Sequence, residues 1–244
     1  MPKRFSFILA HPDDEIFVVR FIELAVKNGH DVEIASMTKG EYGTMNPSLK
    51  GKKLARIRVQ ELQDAAKAYG LHENRVKFLG LLDGNVTLKR ALKTLQEYLQ
   101  KRKPDVIFAP EYDFSVYVHP DHLNTGKATC ILLKKGKVSP RPLLFTFHSF
   151  KNNIFIKSTF GTPMKTLKAH KSQFQVIGYL IPLLYLYNLL IGFLQYRRFM
   201  FAQACRRIFF EKKIHLTFLD RIFHAAFSIG KLIFKPWRAE KIVD

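Results

Sequence analysis

The chain has 244 residues, 47% of them hydrophobic, enough for a full core in one α/β domain with room for an appendage. Forty Lys and Arg against 20 Asp and Glu leave a formal charge of +20, which attracts polyanions, and the apolar content excludes a disordered chain. Two cysteines, Cys130 and Cys205, exclude a disulfide framework and a Cys-based zinc finger, and they suit a reducing compartment.

Lys3 and Arg4 precede an apolar run over 5–10, too short for a signal-peptide core and cut off by the acidic stretch 13–15. It reads as a buried strand, and the domain is expected in the cytoplasm. Helical spacing follows over 16–27 and stops at Asn28-Gly29; a strand is expected over 32–37 and a helix over 54–69, closed by Gly70. Strands over 76–79, 106–109 and 143–147 and a helix over 88–100 complete the alternation. Strands alternating with helices of this length imply an α/β fold with a Rossmann-like, doubly wound, mostly parallel sheet. Such sheets bind ligands in the loops beyond the carboxyl ends of their strands.

Composition shifts near Gln173, which divides the chain into a domain over 1–173 and a basic, apolar, helical tail over 174–244. Residues 1–150 carry +8 and residues 151–244 carry +12, although the second stretch is shorter. Residues 176–195 hold no charge at all, Arg197 and Arg198 follow directly, and no acidic residue stands between Phe174 and Phe210. Further on, Phe209, Phe210, Phe218, Phe223, Phe227, Phe234 and Trp237 are interleaved with Lys and Arg. Aromatic and cationic residues mixed in this way predict helices lying in an anionic membrane interface. Pro182 and Asn188 argue against a simple span; the alternatives are a single span or a helical hairpin packed on the domain.

Two short constellations carry the chemistry. Ala10-His11-Pro12-Asp13-Asp14-Glu15 ends the first expected strand, where Pro12 stiffens the turn and one imidazole and three carboxylates meet. Taken alone, Asp13 or Asp14 could simply cap the next helix. Val118-His119-Pro120-Asp121-His122 repeats the His-Pro-Asp chemistry after the strand over 106–109 and a loop with Glu111 and Asp113. A parallel sheet brings both to one edge, giving three histidines and three aspartates, enough for a divalent-metal site with an open water position.

These two motifs resemble the signatures of the PIG-L/LmbE-like family of zinc-dependent deacetylases of N-acetylglucosamine-containing substrates. Weaker stretches agree in order: Gly40-Glu41-Tyr42-Gly43-Thr44, Arg58-Val59-Gln60-Glu61, Gly80-Leu81-Leu82-Asp83-Gly84 and His170-Lys171-Ser172-Gln173. The likeness covers residues 4–173, and departs from the family at Val118 and at Leu123-Asn124. The resemblance implies His11, Asp14 and His122 as ligands of Zn2+, or of another divalent ion such as Fe2+. It implies Asp13 as general base and a protonated His119, partnered by Asp121, as oxyanion stabiliser. The metal would activate a water that removes acetyl from an N-acetylated amino sugar, lipid-borne if the tail is taken into account. Arg58 and His170 are expected to contact substrate, whereas Glu41 and Asp83 are expected to hold loops. The competing readings are a hydrolase of another amide or ester on the same fold, and a polyanion-binding protein. Against the latter, no specific nucleic-acid recognition element is present.

Overall fold

The protein is seen in a computed structural model that describes residues 1–178, 181–211 and 216–233. The chain runs through β1 (Arg4–Leu9), α1 (Val19–Lys27), β2 (Asp31–Ser36), α2 (Lys52–Ala68), β3 (Val76–Phe78), α3 (Leu88–Arg102), β4 (Val106–Pro110), α4 (Pro120–Lys134) and β5 (Leu143–Phe147). It continues through β6 (Ile154–Lys157), α5 (Gly161–Ala169), α6 (Phe174–Ile177), α7 (Ile181–Tyr196), β7 (Ala202–Arg207) and α8 (Phe218–Ile233). The seven strands form one sheet in the order β3-β2-β1-β4-β5-β7-β6, parallel from β3 to β5 and antiparallel at the β7 and β6 edge.

β1 is central and its run Phe7-Ile8-Leu9 is fully buried on both faces, as a parallel strand sandwiched between helices must be. Phe7 pairs in register with Ile34 of β2 and Phe108 of β4. On one face Phe7, Leu9 and Phe108 pack with Val19 and Ile22 of α1 and Leu62 and Ala65 of α2. On the other, Ile8, Ile107 and Leu144 pack with Leu95 and Leu99 of α3 and Leu132 of α4. The doubly wound sheet expected from the alternation is therefore present, and the ends of β1, β4 and β5 open at one edge.

The tail differs from its sequence reading. β7 lies inside the stretch expected to be an interfacial helix, yet it is a buried strand between β5 and β6. α7 packs on it through Asn188, Ile191 and Gly192, and a Cβ on Gly192 would come within 1.7 Å of the Met200 carbonyl oxygen. Residues 181–207 thus complete the sheet begun before Gln173. No described helix is long and apolar enough to cross a membrane. Phe234 and Trp237 lie outside the described residues.

Candidate active site

The turn after β1 is built to present carboxylates. Asp13 adopts φ 102°, a left-handed conformation that costs a non-glycine residue about 1–3 kcal/mol and is held only where its surroundings impose it. What imposes it is visible: the Asp13 N–H donates to Glu15 Oε2 at 3.0 Å, and Asp14 Oδ2 accepts from the backbone N–H groups of Ala10 and His11 at 2.9 and 3.0 Å. The second motif opens α4, with His119 as its N-cap and Pro120 in its first turn, which buries Asp121 and His122.

The two motifs meet. His122 Nε2 lies 2.7 Å from Asp14 Oδ1, and His11, Asp14 and His122 each offer a ligand atom within 4.8 Å of the others. His11 Nε2 is 2.9 Å from Asp83 Oδ1 and 3.1 Å from Asp121 Oδ2. Burial lowers the His11 pKa, but those two carboxylates outweigh it and hold it well above the usual value. A second convergent set, His11, His119 and Asp121, is a poorer metal cage: both Asp121 oxygens already accept backbone N–H groups, Oδ2 from Gly84 at 2.8 Å and Oδ1 from Val86 at 3.1 Å, whereas on Asp14 both such bonds fall on Oδ2 and leave Oδ1 to the site. Two imidazoles and one carboxylate suit Zn2+, and carboxylates behind a ligating histidine fix its tautomer. Burial opposes ionisation of Asp14, yet His122 and His11 hold it far below the ordinary carboxylate range, so it stays an anion for a cation to bind.

Asp121 and His119 depart only in part from the expected pairing. The Asp121 carboxylate lies 3.1 Å from His11 Nε2, while its backbone N–H donates to His119 Nδ1 at 3.2 Å and its charge also acts on the His119 ring, which lies within 4.8 Å. That bond leaves the proton on His119 Nε2. Burial, together with His11 and His122, pushes His119 down to about 4 against the pull of Asp121 and Asp83, a direction that favours its neutral form.

Asp13 stands outside the ligand set. Its Oδ1 pairs with Arg58 NH2 at 2.9 Å; burial pushes Asp13 up, Arg58 pulls it back, and it settles at about 6. Arg58, from the buried face of α2, also donates to the carbonyls of Pro12 and Gly40. A Cβ on Gly40 or Gly43 would lie 2.3 or 2.5 Å from its NH1, which explains why that loop carries glycines. Asp83 accepts from the Tyr42 N–H and Glu41 accepts from the Asp83 N–H, so both hold loops as expected, and Asp83 also reaches His11. His170 is not in the cavity wall. It is enclosed behind the site with Nε2 2.6 Å from Glu15 Oε1, the same Glu15 that braces Asp13. Ser172 donates to Glu61, and the Gln173 side chain donates to the Gly43 carbonyl.

A cavity of about 600 Å³ opens over these groups, with His11, Asp13, Asp14, Arg58, Asp83, His119 and His122 on its polar side, so Arg58 stands where it was expected to meet substrate. Its other wall is apolar and comes from the late chain: Val176, Ile181, Leu183, Leu184 and Tyr187. Sequence reasoning missed His148, which follows β5. It is buried with φ 65°, lines the cavity, has no hydrogen-bond partner on either ring nitrogen, and is pushed down to about 3 by burial and His122. Only its place after a parallel strand pointed to it.

The diacetylchitobiose deacetylase of Thermococcus kodakarensis is 27% identical over 126 residues, 51% of this chain and 46% of that protein, so the chain aligns with about half the length of this curated relative. Among solved structures, N,N'-diacetylchitobiose deacetylase from Pyrococcus horikoshii superposes with a TM-score of 0.76 at 23% identity, covering 84% of each chain. The 4-carboxy-2-hydroxymuconate hydratase GalB of Pseudomonas putida superposes with a TM-score of 0.64 at 17% identity, covering 88% of this chain and 100% of its own. At such identities the two structures show a shared fold, and one fold carries different reactions. The PIG-L family model, described as GlcNAc-PI de-N-acetylase, matches residues 6–132, just over half of the chain and both His-Pro-Asp motifs, and the protein belongs to that family.

Proposed function

We propose that the protein hydrolyses the N-acetyl amide of an amino sugar, with a divalent ion held by His11, Asp14 and His122 and with Asp13 as general base. The observation that carries this reading is the division of labour between adjacent aspartates: Asp14 faces two imidazoles, whereas Asp13 faces Arg58 and the cavity. Zn2+ fits two imidazoles and one carboxylate, and Fe2+ accepts the same set. When bound there, the ion polarises the acyl oxygen and makes water acidic enough to lose a proton near neutrality.

The chain's own residues do the rest. Asp13 takes a proton from the attacking water, a role that suits a carboxyl raised toward the working pH. The acyl carbon becomes tetrahedral, and its negative oxygen accepts a hydrogen bond from His119 Nε2–H. The C–N bond breaks, the proton held on Asp13 passes to the departing nitrogen, and acetate and a free amine leave. Asp83 and Asp121 keep His11 oriented, and Glu15 with His170 behind it keeps the Asp13 turn in place.

The apolar wall of Val176, Ile181, Leu184 and Tyr187 supports a sugar carried on an apolar group such as a lipid. A polyanion-binding role is less favoured, because the excess positive charge of residues 151–244 is interleaved with exposed apolar residues such as Phe199 and Phe209, which suits lipid better than a phosphate backbone. The test is mass spectrometry of the zinc-loaded protein with free, nucleotide-linked and lipid-linked N-acetylglucosamine. Loss of one acetyl group with an equal amount of acetate is expected. Cleavage of other amides or esters with every N-acetyl sugar untouched would overturn the assignment.

A further inference from the structure

We infer that the outer face of α7 is a docking surface for an anionic lipid membrane, so that the active-site cavity adjoins the lipid. Leu183, Leu186, Leu190 and Leu194 recur at three- and four-residue steps and are 60%, 61%, 51% and 56% exposed. That spacing puts them in one stripe along the helix. The opposite face is already used: Asn188, Ile191 and Gly192 seat α7 on β7. The stripe ends at exposed Arg197 and Arg198, followed by Phe199 at 83% exposure.

Charge selects the occupant. No acidic residue occurs from Phe174 to Phe210, and residues 151–244 carry +12. A second copy of this face would set like charges against one another, whereas an anionic bilayer offers both an apolar layer for the leucines and negative headgroups for the arginines. α8 adds exposed Phe218 and Ile222, and it grips the same 149–152 loop as α7: Phe150 stacks on Phe227, Lys151 pairs with Asp220, and Asn152 donates to Tyr187. Leu183 belongs both to the stripe and to the cavity lining, so a docked enzyme lays its site beside the headgroups. The helix lies on the surface; it does not need to cross it.

Flotation of the full chain with phosphatidylcholine vesicles, with and without phosphatidylglycerol, tests this independently of any deacetylase assay. The full chain should float with the phosphatidylglycerol vesicles. L186E/L190E, which touches neither the cavity lining nor the β7 contact, should lose at least about tenfold in partitioning while keeping its circular dichroism and melting temperature. R197E/R198E should lose the preference for phosphatidylglycerol, and high salt should mimic it. The inference is overturned if the wild-type chain stays below the lipid layer, or if L186E/L190E floats equally well. It is also overturned if the wild type ignores vesicles and forms a dimer that L186E/L190E dissolves.

Discussion

Arg58→Gln should move the acidic limb of the pH–rate profile upward without abolishing activity. Arg58 is the only cation at salt-bridge distance from Asp13 among the described residues, and Asp13 shares its turn with the carboxylates of Asp14 and Glu15. A cation this close lowers a carboxyl by about 1–3 units, so its loss should raise Asp13 by about that much. The sign is fixed: the base form is needed, a higher pKa delays its appearance, and the limb moves to higher pH whatever the charge on the metal. Above the new limb most of the rate should return, because the substitution removes a charge and leaves the base in place. Release of free amine from an N-acetyl sugar, followed by fluorescamine across the pH range, reads the shift. Gly43→Ala should copy part of it, since its Cβ would lie 2.5 Å from Arg58 NH1. An unchanged acidic limb with a raised KM at every pH would refute the reasoning and leave substrate contact, open to Arg58 from its place in the cavity wall, as its role.

Other expectations follow from the same geometry. His11→Ala and His122→Ala should each strip the metal from the purified protein, measured by elemental analysis. Asp83→Asn removes one of the two carboxylates on His11 and should weaken metal binding about 10- to 100-fold in a chelator competition. Glu111→Gln breaks the buried Arg206–Glu111 pair, at 2.6 Å, that ties β7 to the end of β4, and should cost about 3–5 kcal/mol, a clear fall in melting temperature. Burial opposes ionisation of Glu111, but Arg206 prevails and depresses its pKa, so this stabilisation is present above the unfolded carboxyl pKa and is lost as pH falls; the gap between variant and wild type should close in acid.

The parts legible in the sequence were those whose signal is local. The strands over 5–10, 32–37, 106–109 and 143–147 are apolar runs between turn residues, and each lies within a residue or so of β1, β2, β4 and β5. The paired His-Pro-Asp motifs announced a common site because a parallel sheet sends both strand ends to one edge. α4 was not legible, since its buried face opens on Asp121, His122, Thr125, Gly126 and Thr129, with large apolar residues only in its last turn at Leu132 and Leu133. Gly126 is there because a Cβ would sit 2.0 Å from the Pro110 carbonyl oxygen. β7 was hidden for a related reason: Gln203 and Arg206 read as surface residues, and only the fold shows Gln203 donating to the Ile16 carbonyl and Arg206 meeting Glu111. The resemblance pairs Asp121 with His119, and the fold adds what the sequence could not show, that the Asp121 N–H caps His119 while its carboxylate also reaches His11. Pairings across the chain decide such cases, and spacing along it does not.

In the proposed reaction adjacent aspartates do different work, Asp14 holding the ion and Asp13 moving the proton. The direct measurement is metal content and single-turnover deacetylation on the same samples of wild type, Asp13→Asn and Asp14→Asn. Asp13→Asn should keep about one divalent ion per chain and lose roughly 10²–10⁴ in rate, whereas Asp14→Asn should lose the ion itself. An Asp13→Asn protein that arrives without metal, or one that holds metal and turns over at the wild-type rate, would contradict that division.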